Sequence, residues 1–319
     1  MNMQRSTLIL ALFSVLTLSA CQPDAQPKQK QTAEQTTPVV VVVNYPLQFI
    51  VESLVGPEFK VLNPVPPDVN PEIWLPDDAM IQTIQQADLI VTNGADFADW
   101  VKKLSLPRSK VLRTSLSLKD ALITVPDFEV HSHGTGGAHS HAGTVSFFWL
   151  DPALMERQAD AIAQRLILLA PQEKARINAN LEQLKKSLKP LNQKLNQLQA
   201  EYPGLHWFSE RPVYQYLARR CGWTMHHLHW KQDTVPGESD WENLRTMQKE
   251  HKISFLLWEH KPEEKRVKEL AQHGVTSVVL DPLTVKPAQG DYLTEMQRQL
   301  AQLEQFLKQH QTESSQSTN

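Results

Sequence analysis

The sequence predicts an α/β protein of two similar lobes, each a four-stranded parallel sheet flanked by helices, joined by one long helix. Three observations carry this reading. Short runs rich in valine and isoleucine alternate with helical patterns, as parallel strands require, because each must be reached by a crossover. Four such runs fall in each half of the chain. Between the halves the apolar residues recur with a helical period.

The first residues have a separate role. Arg5 precedes an apolar run from Leu8 to Leu18, which is short for a bilayer span and fits a signal peptide. The run ends in Leu18-Ser19-Ala20-Cys21, which resembles the bacterial lipobox, whose cysteine is acylated and becomes the mature N-terminus. Residues 1–21 are therefore expected to be a lipoprotein signal peptide. Acylated Cys21 would anchor the chain in the lipid bilayer of the bacterial cell envelope, facing the periplasm or the outer surface. An ordinary signal peptide that happens to contain a cysteine is the other reading. Residues 22–37, QPDAQPKQKQTAEQTT, are polar and read as a flexible tether. Residues 311–319, QTESSQSTN, read as a disordered tail. With Cys21 processed, Cys221 would have no partner, and no intramolecular disulfide is expected.

In the first lobe, 38–150, strands are expected at Val39–Val43, Phe59–Leu62, Asp88–Thr92 and Lys110–Arg113. In the second, 201–310, they are expected at Leu205–Phe208, Thr224–Leu228, Ile253–Trp258 and Thr276–Leu280. Residues 151–200 are connecting helices. Asp151-Pro152 pairs an N-cap with proline at the first helical position, and Pro171 opens a second helix. There Ile177, Leu181, Leu184, Leu188, Leu191, Leu195 and Leu198 alternate spacings of four and three, making one apolar stripe. Pro190 should kink or split that helix. The stripe reads either as a coiled-coil dimer seam or as a helix packed against both lobes of a monomer. The internal proline favours the monomer. Leu293, Met296, Leu300, Leu303 and Leu307 form a similar core stripe on a closing helix.

Composition excludes some functions. With 32 basic and 35 acidic residues the formal charge is −3, so no broad basic surface awaits nucleic acid. The chain has no G-x-x-x-x-G-K-[ST] phosphate loop of its own. It also lacks a His-Glu-x-x-His pattern that would set an acid/base glutamate beside its histidines, so a metallohydrolase is the weakest class and no enzyme is expected.

The chemistry points to metal. Residues 131–141, HSHGTGGAHSH, hold His131, His133, His139 and His141 as two His-x-His pairs on a glycine-rich spacer. In an extended segment each pair projects to one side, and the glycines leave the spacer free to fold the pairs together. Imidazole suits zinc (Zn2+), and also copper (Cu2+) or nickel (Ni2+). The loop is a specific site, a solvated segment that captures metal weakly, or a segment with no metal role. A second group, Met225-His226-His227-Leu228-His229-Trp230, sits on an expected strand, with His227 and His229 on one face and His226 on the other. His229 could complete a site with the loop; a packed, hydrogen-bonded histidine is the bland alternative. Trp149, Trp230, Trp241 and Trp258 read as core and cleft lining.

Several segments in order resemble the metal-specific substrate-binding lipoproteins of bacterial ABC importers for zinc or manganese (Mn2+). They are Asn70-Pro71-Glu72-Ile73-Trp74-Leu75-Pro76, Ala87-Asp88-Leu89-Ile90-Val91-Thr92-Asn93-Gly94, the His-rich loop, Trp149-Leu150-Asp151-Pro152, Tyr216-Leu217-Ala218-Arg219-Arg220-Cys221-Gly222, and Leu280-Asp281-Pro282-Leu283 followed by Gly290-Asp291-Tyr292-Leu293. The resemblance implies a metal held in a cleft between the lobes and delivery to the membrane permease of an ABC importer. A surface or adhesion lipoprotein that keeps the fold without transport is the alternative.

The resemblance also implies four ligands, typically three histidines, or two and a glutamate, plus an aspartate. Here the first position is Glu72, the second Phe147 and the third Arg211; only Asp281 matches. Phenylalanine donates no lone pair, and arginine stays protonated. The usual site is expected to be lost. Arg211 is expected either to fill the cation's place between Glu72 and Asp281, which would come from opposite lobes, or to point to solvent. A shift of one residue would instead put Glu210 in the third slot. The candidate metal ligands are thus His131, His133, His139, His141 and Asp281, followed by Glu72, His229 and Glu210.

Overall fold

The computed structural model describes residues 37–132, 138–230 and 235–316, with side chains placed outside 127–132, 138–142 and 311–316. Cys21 and the 22–36 part of the tether lie outside the described residues.

The first sheet holds β1 (Val39–Val42), β2 (Lys60–Leu62), β3 (Leu89–Thr92) and β4 (Val111–Arg113), in the order β2-β1-β3-β4 with all pairs parallel. The second holds β7 (His206–Ser209), β8 (Thr224–His227), β9 (Phe255–Trp258) and β10 (Thr276–Val279), in the order β10-β9-β7-β8, again parallel. Matching β7 to β1, β8 to β2, β9 to β3 and β10 to β4 makes the two orders identical. The two lobes share one winding, as the sequence predicts. Parallel strands covered on both faces read as unbroken apolar runs, and Val40, Val41, Val42 and Val43 are fully buried.

Two strands were not expected. β5 (Thr124–Ser132) and β6 (Ala138–Thr144) pair antiparallel as a hairpin, with His131 opposite His139 and Glu129 opposite His141. The His-rich segment is therefore flanked by strand rather than being loop throughout.

The helices are α1 (Tyr45–Leu54), α2 (Asp78–Gln86), α3 (Pro152–Leu169), α4 (Lys174–Glu201), α5 (Gln215–Cys221), α6 (Glu238–His251), α7 (Glu264–Gln272) and α8 (Tyr292–Gln316). The Asp151 carboxylate caps α3 by accepting from the Ala153 N–H at 3.0 Å. α8 stays helical into the segment expected to be a tail. Its described core contacts reach Phe306 and Leu307. None of the helices among the described residues is long and apolar enough to cross a membrane.

α4 joins the lobes, and its stripe from Ile177 to Leu198 is buried within this one chain, which removes the need for a coiled-coil partner. Pro190 lies inside α4 without splitting it. Proline has no N–H, so the Lys186 carbonyl loses its helical donor. Buried Leu188 and Leu191 on either side hold the helix to the core in compensation.

The lobes are also tied through polar atoms. The Trp149 indole N–H donates to the Pro282 carbonyl at 2.6 Å, and the Tyr292 hydroxyl donates to the Trp149 carbonyl at 2.5 Å. The Tyr45 N–H donates to the Thr284 carbonyl at 3.0 Å, and the Tyr216 hydroxyl donates to the Val145 carbonyl at 2.9 Å. All four bonds cross from one lobe to the other.

Replacing Pro190 with alanine should return a donor to the Lys186 carbonyl and stabilise the protein by about 1–3 kcal/mol in urea unfolding. An unchanged or lower stability would mean that α4 needs the proline bend to reach both lobes.

Candidate functional site

Parallel sheets of this kind present ligands beyond the carboxyl ends of their strands. Glu210 and Arg211 follow β7, Glu259 follows β9, and Asp281 lies just past β10. Glu72 lies in the connection from β2 to α2. The Asn70 side chain accepts from the Glu72 N–H at 2.9 Å, and the Trp100 indole N–H donates to the Pro71 carbonyl at 3.1 Å. Trp74 meets Trp100 edge to face, with centroids 4.9 Å apart. The chain around Glu72 is thus fixed before its carboxylate meets anything in the other lobe.

That carboxylate meets Arg211. The guanidinium donates to both Glu72 oxygens, at 3.0 and 2.7 Å, and to both Glu259 oxygens, at 2.7 and 2.6 Å. It also stacks over the Phe147 ring, 5.3 Å from its centroid. Phe147 is buried against Phe97 and Trp149. Of the four positions that the resemblance marks for metal, Arg211 therefore touches two others, Glu72 and Phe147. Arg211 fills the cleft as one reading of the sequence expected, with one correction: its second carboxylate is Glu259, not Asp281. Asp281 instead accepts from the Leu283 N–H at 2.7 Å, while its own N–H bonds to the Gln299 side chain.

The electrostatics follow from burial among like charges. Burial alone would lower the Arg211 pKa, but Glu259 and Glu72 outweigh it and raise it, so the cation is permanent. Glu259 is raised by burial against the lowering pull of Arg211. Burial and the neighbouring Glu259 raise Glu210. Asp281 is raised by burial, offset by the Leu283 hydrogen bond and His260. Asn70, Glu210, Arg211, Trp230, Glu259 and His260 line a cavity of about 90 Å³. Each bidentate pair occupies lone pairs that a metal would need, so Glu72 and Glu259, held as they are by Arg211, do not fit as ligands of a bound zinc ion.

The remaining histidines are partly placed. His133 lies outside the described residues; His131 and His139 are paired in register, and His141 opposes Glu129. His227 bonds through both ring nitrogens, to the Ser209 hydroxyl at 3.0 Å and the Gln215 amide at 2.7 Å. Burial and the neighbouring His229 and His226 push it down to about 4. His229 lies past the end of β8 with φ 53, yet its ring still meets that of His227 edge to face, with centroids 6.0 Å apart, on the same side as expected. It is exposed, and its N–H donates to the Glu210 carbonyl at 3.0 Å. Trp149, Trp230 and Trp258 are buried, and Trp241 packs edge to face on Trp230. Cys221 is buried, with its thiol pushed up to about 12.

Glu259 is the residue that sequence reading missed. Its signal was present, since it directly follows the apolar run ending at Trp258 and so sits at a strand's carboxyl end. Replacing Arg211 with methionine should leave two buried carboxylates facing each other and destabilise the protein by about 2 kcal/mol, the low side for a buried pair because the guanidinium is part-exposed. Adding Glu72→Gln and Glu259→Gln should restore most of that loss in urea unfolding. A single variant as stable as the wild type would show that the contacts carry no weight.

The comparisons bear on the family and the fold. Residues 40–306 match the family described as zinc-uptake complex component A, periplasmic. A high-affinity zinc uptake system protein ZnuA of Yersinia pestis is 23% identical over 262 residues, covering 76% of this chain and 82% of that protein. The crystal structure of a metal-dependent lipoprotein of Bacillus subtilis superposes with TM-score 0.69 at 21% identity, over 83% of this chain and 97% of that one. The zinc-bound ZnuA-like domain of Streptococcus pneumoniae AdcA does so with TM-score 0.69 at 19% identity, over 84% and 98%. At these identities the two solved structures speak for the fold. With its matching span, its paired parallel sheets and its joining helix, this chain belongs to the periplasmic zinc-uptake component A family.

Proposed function

We propose that this protein is the binding component of an ABC importer that captures a divalent cation, zinc before manganese, copper or nickel, on its histidine hairpin rather than in the cleft. The observation that carries this reading is Arg211 held by Glu72 and Glu259. A cation already tethered to the chain occupies the ground where a mobile one would bind. An imidazole-rich alternative is the hairpin, whose backbone register sets His131 opposite His139. His133 and His141 complete the donor set, and nitrogen donors select zinc over manganese. Asp281, Glu210 and His229 remain lesser candidates: Glu210 lines the cavity beside Arg211, and Asp281 follows β10. Handover would be to a membrane permease, with acylated Cys21 holding the protein at the bilayer.

A second reading is a surface lipoprotein that keeps the fold and no longer transports. The same clamp favours it, because a cleft closed without metal has no cargo to signal.

Zinc titration by calorimetry on the soluble domain separates the two. Changing His131, His133, His139 and His141 together to alanine should remove the hairpin's zinc equivalent, whereas Asp281→Ala should leave stoichiometry unchanged. Affinity at the hairpin should fall as pH drops through about 6.5, because imidazole must be neutral to ligate. If the quadruple variant binds zinc as the wild type does, the hairpin is not the site; a wild type that binds no zinc at all would favour the second reading. Cys21→Ala should release the chain from the membrane fraction; unchanged partitioning with no acyl mass on the N-terminal peptide would rule out the anchor.

A further inference from the structure

Three histidines outside the cleft and the hairpin converge in the second lobe. His206 opens β7, His226 lies in the neighbouring strand β8, and His251 ends α6, the helix that packs over this sheet. Each offers a ring nitrogen, and the three nitrogens all lie within 4.8 Å of one another. His206 Nδ1 and His226 Nε2 are 2.9 Å apart. The ring centroids are separated by 5.2 Å for His206 and His226, 5.7 Å for His206 and His251, and 4.4 Å for His226 and His251.

We propose that His206, His226 and His251 form a metal site of three imidazoles, for zinc or another cation that prefers nitrogen donors. Tetrahedral zinc with Zn–N bonds of about 2.0–2.1 Å places its ligand nitrogens about 3.4 Å apart. The trio brackets that spacing: the His206–His226 pair must open slightly, and His251 must move in. Two of the rings are fixed by adjacent strands. The third is at a helix terminus and exposed, so it can adjust at little cost. Its exposure also leaves the fourth position open to water. The Glu250 carboxylate lies 3.8 Å from His251 Nε2, beyond hydrogen-bond range but near enough to supply the fourth donor after a side-chain rotation. All three core donors are nitrogen, which disfavours manganese, magnesium and calcium.

The site is remote from the cleft in kind as well as place. β7 carries His206 at its amino end, whereas Glu210 and Arg211 follow its carboxyl end. Metal bound here would not be enclosed between the lobes. It would tie β7, β8 and α6 together, steadying the lobe's free edge.

The test uses the chain carrying alanine at His131, His133, His139 and His141, titrated with zinc alone. It should still bind one equivalent, and adding His251→Ala should weaken that binding at least about tenfold. His251 is exposed, so this change leaves the fold intact. Cobalt(II) offered in place of zinc should give the visible absorption of a tetrahedral site, lost on His226→Gln. A quadruple variant that binds no zinc, or one whose affinity His251→Ala leaves unchanged, would overturn the proposal. The difference between wild type and quadruple variant reads the hairpin, and the further loss on His251→Ala reads the trio, so either can fail alone.

Discussion

One guanidinium organises the cleft. Arg211 stands between carboxylates from both lobes, Glu72 from the first and Glu259 from the second, and satisfies both in bidentate fashion. Two part-buried acids facing one another would repel and would resist desolvation; a planar cation with five donors removes both problems at once. The neighbouring substitution then makes physical sense. Phe147 need not ligate anything, and its ring lies under the guanidinium where a charged face is stabilising. A mobile ion can leave and be replaced. A side chain cannot leave, so the charge balance of this cleft is built into the polypeptide.

The scaffold delivers the acids to that point by repetition. Both sheets are wound in the same order, and in each the loops gather beyond the carboxyl ends. The first lobe contributes Glu72 on a turn locked by Asn70 and Trp100, and the second contributes Arg211 and Glu259 from adjacent strands. The joining helix and the Trp149 and Tyr292 hydrogen bonds fix the separation between lobes independently of the clamp. The clamp therefore works between surfaces that are already held together.

Much of this was legible in the sequence, for reasons that differ by element. The eight core strands could be read closely because buried parallel strands are nearly continuous apolar runs, as Val39–Val42 and Phe255–Trp258 illustrate. The α4 stripe was legible because one face is buried along its whole length. The hairpin from Thr124 to Thr144 was not, since histidine, serine and glycine hide any apolar alternation. Pro190 misled because local preference yields to packing on both sides. Arg211 as an occupant of the cleft was also visible in the sequence. Its partner was not: choosing Glu259 over Asp281 needs the order of strands in space. The same holds for His206, His226 and His251, which only sheet adjacency and the end of α6 bring together.

The most direct measurement is a crystal structure of the zinc-loaded protein with anomalous diffraction at the zinc edge. The account predicts Arg211 still bonded to Glu72 and Glu259 and no anomalous peak between those carboxylates. A zinc peak coordinated by Glu72, Glu259 or Asp281, with Arg211 swung out to solvent, would contradict it.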